Sequence, residues 1–79
     1  IYIMATYNGH KNWNHWNVSL WLNNDVVLYR LAKGFVDEGI GKAAAAKNMY
    51  KFLVALESPK TPDGAPYSIT TIRAAMVGM

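Results

Sequence analysis

Apolar residues recur along this chain at intervals of three and four rather than two, the repeat of one face of an α-helix. Between Trp13 and Leu22 two such series interleave. Trp13, Trp16 and Leu20 fall at i, i+3, i+7, while Val18, Trp21 and Leu22, at i, i+3, i+4, lie roughly on the other side of the same cylinder. A helix apolar on two sides is either central to its fold or covered by a partner. It is expected to open near Asn12 or Asn14, either of which can cap, and to end around Asn23-Asn24.

Asp25 is the next capping residue, and behind it residues 26–38 place Leu28, Leu31, Ala32 and Phe35 on one stripe, with Arg30, Lys33 and Asp37 opposite. Gly34 inside that stretch predicts close packing against another backbone or a local break. Gly39 and Gly41 stop the helix. A third helix is expected over residues 42–58, alanine-rich at its start, with Ala45, Ala46, Met49, Phe52, Leu53 and Leu56 as its core stripe. Pro59, Pro62, Asp63-Gly64 and Pro66 force a loop, after which Ser68 caps a last helix reaching about Met76. The first residues read differently. Ile1, Ile3 and Thr6 are β-branched, but no second alternating segment follows Asn8-Gly9, so residues 1–6 are expected to form an extended arm ending in a turn. The fold class that follows is all-α: one compact four-helix domain over residues 1–79 with a short N-terminal arm.

Composition narrows the function more than the fold. At 79 residues with 52% apolar content the chain supports a single core without a metal staple, and the absence of cysteine excludes disulfides and Cys-based zinc sites. Eight Lys+Arg against five Asp+Glu permit contact with nucleic acid and argue against an acidic DNA mimic. No apolar run approaches the roughly 20 residues that span a bilayer, and no signal peptide is legible, so a cytoplasmic setting is expected. Met4 is the expected translation start, which sets Ile1 to Ile3 aside from the functional reading.

Tyr7-Asn8-Gly9, Asn12, Trp16-Asn17-Val18, Leu20-Trp21-Leu22 and Asn24-Asp25 resemble a family of short phage and mobile-element proteins that share a Tyr-Asn-Gly…Trp-Asn-Val-x-Leu-Trp-x-x-Asn-Asp pattern. This resemblance implies a viral or plasmid setting in a bacterial host and no particular chemistry. Residues 61–73, Thr-Pro-Asp-Gly-Ala-Pro-Tyr-Ser-Ile-Thr-Thr-Ile-Arg, are similar to a loop-to-helix segment in the DNA-binding part of large serine recombinases, with Tyr67 where those have tryptophan. That likeness implies a C-terminal helix offered to DNA.

The residues themselves leave two functional readings open. In the first, Lys47, Lys51, Lys60 and Arg73 form a basic face, and Ser68, Thr70 and Thr71 at the start of the last helix meet DNA phosphates; the alternative for the lysines is an ordinary solvated face. In the second, the chain is a protein-binding inhibitor of a host defence complex, of anti-CRISPR or antirestriction type, or an oligomeric accessory subunit, with Trp13, Trp16 and Trp21 as the partner surface; the alternative for the tryptophans is core packing. Self-association covers the second apolar face of the first helix equally well. No catalytic constellation, phosphate loop or dinucleotide fingerprint is present, and Asp25, Asp37, Glu38, Glu57 and Asp63 all sit at caps, helix ends or a turn, so no enzymatic activity and no cofactor are expected. His10 and His15, five apart without a nearby carboxylate, make a poor metal pair.

Overall fold

The computed structural model describes residues 12–79; the expected arm over residues 1–6, the Asn8-Gly9 turn and His10 lie outside them. Four helices follow in order: α1 (Trp13–Asn24), α2 (Val26–Val36), α3 (Lys42–Ala55) and α4 (Ile69–Ala75). Each packs on its neighbour in the chain, and α4 closes the ring by packing on α1.

The helix ends are set by side chains the sequence supplies. Asn12 caps α1 by accepting from the His15 amide at 3.1 Å. Asp25 both terminates α1, donating its N–H to the Trp21 carbonyl, and caps α2, accepting from the Leu28 amide at 3.0 Å. One extended residue therefore makes the whole corner between two helices. At the far end of α3, Pro59 disfavours helical backbone at Ser58, so the helix stops at Ala55 rather than running to residue 58. It closes in a Schellman motif, with Ser58 N–H on the Leu53 carbonyl and Glu57 N–H on that of Val54. Glu57 stands at φ +58 in the position where glycine is usual. Gly34 neither packs against a backbone nor breaks α2: the helix runs through it, and a methyl group placed there would meet nothing within 4 Å.

The core is assembled from small and flexible apolar residues. Val18 and Leu22 of α1, Ala32 of α2, Ala45, Ala46, Met49 and Leu53 of α3, and Ile72, Ala75 and Met76 of α4 are buried, together with Ala65 and Tyr67 from the loop. All three tryptophans stay outside it: Trp13 is exposed and Trp16 and Trp21 are half-buried. Two further expected core residues also leave it. Phe52 and Leu56 are 40% and 58% exposed: the core runs along the Ala45–Met49–Leu53 line of α3, and among the described residues the strip beside it is only partly covered, Phe52 by the edge-to-face ring of Phe35 at 6.2 Å.

The loop between α3 and α4 is held by a buried polar contact with α1. Thr61 Oγ1 donates to Asn17 Oδ1 at 2.6 Å, and the Asn17 amide donates to Asp63 Oδ2 at 2.9 Å. The Trp21 indole N–H, one turn along α1, donates to that same oxygen at 2.9 Å. Within the loop, Thr61 Oγ1 accepts from the Ala65 amide, Gly64 N–H closes the turn onto the Thr61 carbonyl, and Gly64 takes φ +95, which a side chain would resist. Tyr67 N–H on the Pro59 carbonyl completes a miniature hairpin. Asn17 is 1% exposed, yet every buried side-chain polar atom among the described residues has a partner.

Four outcomes are expected from stability measurements. Gly34→Ala should raise the unfolding free energy by about 0.5–1 kcal/mol, and Glu57→Gly by roughly 1 kcal/mol through relief of the left-handed backbone. Each is a rise of several degrees in Tm for a domain this size. Asn17→Ala, which strips both contacts to the loop from a buried site, should cost about 1–3 kcal/mol in a denaturant titration. The Asp63 carboxyl is held below its ordinary 3.8 by the Asn17 hydrogen bond first and that of Trp21 second. Its contribution is therefore complete above that ordinary value and lost as pH falls through the lowered folded one. Asp63→Asn should flatten this acid limb in a plot of Tm against pH.

Candidate nucleic-acid interface

Helix α4 begins with a reciprocal cap. Ser68 Oγ accepts from the Thr71 amide at 3.1 Å, and Thr71 Oγ1 accepts from the Ser68 amide at 2.9 Å. Two of the hydroxyls expected to meet phosphates are thereby engaged with each other, and Thr71 is buried as well. Thr70, between them, points outward and is exposed. Arg73 follows one turn later on the same exposed side.

A cavity of about 290 Å³ opens against that side of α4, lined by Thr70, Arg73, Ile69, Ala74 and Val77 and, from other helices, by His15 and Lys42. The first turns of α1 and α3 thus bring an imidazole and an ammonium to the guanidinium of α4. No carboxylate lines the cavity.

The basic residues grouped together from the sequence are dispersed by the fold. Lys47 and Lys51 are exposed on the side of α3 away from Ala45, Ala46, Met49 and Leu53. Lys60 borders a different, larger cavity with Pro62 and Tyr67, on the α2 side of α3. Arg73 and Thr70 therefore share a concavity with Lys42 and His15 and not with Lys60. Lys42 had a sequence signal of its own. It is the first residue of α3, behind Gly41, which supplies no side-chain cap, and a cation there opposes the helix dipole. A residue that breaks a local rule is a functional candidate.

The electrostatics of this half of the molecule follow from where the carboxylates went. Asp25 caps α2, Asp63 accepts from Asn17 and Trp21, and Asp37 pairs with Lys33 at 2.9 Å. That pairing, through the Asp37 hydrogen bond first and its charge second, holds the Lys33 ammonium above its ordinary 10.5. It is the only ion pair among the described residues. Residues 39–56 and 64–79 contain no carboxylate at all, so Lys42, Lys47, Lys51 and Arg73 are exposed and unneutralised.

The tryptophans divide by role. Trp21 is tied to Asp63, whereas Trp13 and Leu20 remain 37% and 38% exposed on the outer side of α1. Among the described residues no group of three His, Cys, Asp or Glu side chains is placed to hold a metal ion. His15 has the cations Lys42 and Arg73 as cavity neighbours, which disfavours another cation there. Among the described residues no helix is long and apolar enough to cross a membrane.

Comparison with curated proteins and with solved structures gives no match. A family model does match, over residues 3–79. The chain accordingly belongs to DUF7249, a family of unknown function.

Proposed function

We propose that this protein is a non-enzymatic nucleic-acid-binding accessory protein of a phage or mobile element, acting in the cytoplasm of a bacterial host and meeting the phosphates of a duplex with its α3–α4 half. The observation that carries this reading is the segregation of charge. Four exposed cations, Lys42, Lys47, Lys51 and Arg73, stand on two helices that contain no carboxylate, and two of them share a concave surface with Thr70 and His15. Phosphate contacts of this kind position a protein on DNA without reading sequence. The exposed Thr70 hydroxyl adds a hydrogen-bond donor beside Arg73. The phage setting rests on the resemblance of the Trp-Asn-Val-x-Leu-Trp stretch.

Four phosphate contacts correspond to a slope of log affinity on log salt of about −3.6, and so to a loss of roughly a hundredfold between 50 and 200 mM salt. Fluorescence anisotropy of a labelled duplex titrated across that range should show it. Lys42→Ala and Arg73→Ala should each weaken binding and reduce the slope by about 0.9. Lys33→Ala, which removes a cation already paired with Asp37, should leave the slope unchanged. Binding indifferent to salt, or none at 50 mM, overturns the proposal.

A further inference from the structure

The strip of α3 left uncovered by the core faces α2 across a groove of about 800 Å³. Val27, Leu28 and Leu31 form one wall and Phe52, Leu53 and Leu56 the other. Val27, Phe52 and Leu56 are 73%, 40% and 58% exposed, so the apolar surface is accessible to a partner. It shares no residue with the cationic cavity of α4. Exposed apolar surface that is continuous and rimmed by polar groups marks an interaction site more often than scattered leucines do.

The rim specifies what the groove accepts. Arg30 from α2 and Lys60 from the loop line it, neither is ion-paired, and no carboxylate is present among its lining residues. A second copy docking through the same face would set Arg30 and Lys60 against one another about a two-fold axis, and unpaired like charges beside apolar surface are costly. Strand addition is not offered either, since β-pairing among the described residues is limited to the single Lys60–Pro66 bridge. The walls are helices of 11 and 14 residues, about 16 and 21 Å long at 1.5 Å per residue. That length matches the apolar stripe of a helix of three or so turns laid between them.

We infer that the α2–α3 groove is a docking site for an amphipathic helix of another protein, whose apolar stripe fills the groove and whose flanking carboxylates meet Arg30 and Lys60. The protein then carries two independent faces, one for a macromolecular anion and one for a helix.

A defined probe tests this: a fluorescently labelled 15-residue peptide with leucine at every third and fourth position and glutamate on both flanks, compared with the same peptide carrying lysine on the flanks. The glutamate form should bind at least tenfold more tightly, and Lys60→Glu should narrow or reverse that preference. Val27→Glu, at an exposed first-turn position of α2 where a carboxylate suits the helix dipole, should weaken peptide binding about tenfold while leaving the fold and duplex binding intact. Leu56→Glu should do the same from the opposite wall. Equal binding of the two peptides, no binding of either, or indifference to both substitutions overturns the proposal. So does a concentration-dependent dimer in sedimentation that Val27→Glu and Leu56→Glu dissociate, which assigns the groove to a second copy. Because the duplex measurement is made on the same variants, failure here is distinguishable from failure of the nucleic-acid reading.

Discussion

One oxygen of Asp63 accepts hydrogen bonds from the Asn17 amide and the Trp21 indole, residues one turn apart on α1, while Thr61 binds the other end of the Asn17 amide. The thirteen residues between α3 and α4, 56–68, contain three prolines and cannot form a helix of their own. Without this contact the loop would be a tether. With it, the loop becomes a fixed layer that delivers Ala65 and Tyr67 to the core and starts α4 at a defined place against α1. Asn23, reaching the Ala75 carbonyl at 3.3 Å, ties the other end of α4 to the same helix. The position of Arg73 and Thr70 beside Lys42 and His15 therefore depends on a hydrogen-bonded carboxylate in the loop that precedes α4.

The charge distribution follows from where the carboxylates stand in the chain. A chain with five carboxylates and eight Lys and Arg residues uses three of those carboxylates, Asp25, Asp37 and Asp63, on a corner, an ion pair and the loop. The other two, Glu38 and Glu57, lie outside the helices, so α3 and α4 themselves carry no acidic side chain. A cationic half thus arises without any block of basic residues. The apolar groove between α2 and α3 has a related origin: α4 is only seven residues long, and among the described residues the strip of α3 that carries Phe52 and Leu56 is left to α2, which covers it only in part.

Much of the helical layout was legible in the sequence because caps and stops are local. Asn12, Asp25 and Ser68 each hydrogen-bond an amide three residues on, and proline at 59 limits α3 whatever it packs against. The candidate site was less legible. Periodicity places Phe52 and Leu56 on the same broad stripe as Leu53, but it does not say how wide a strip the neighbouring helices will cover. Spacing along the chain likewise grouped Lys60 with Arg73, although the hairpin turns Lys60 toward α2. Lys42 and His15 lie far from Arg73 in sequence, and only packing brings them together.

The sequence by itself determined the four helices, their corners and the absence of carboxylates from α3 and α4, because these follow from local backbone chemistry and from composition. The tertiary structure alone decided which of the two apolar faces of α1 became core. Val18 and Leu22 went inside around Asn17, and Trp13 and Leu20 stayed out. The physical reason is that a buried asparagine must find partners, and those partners, Thr61 and Asp63, lie more than forty residues away, where no local rule reaches.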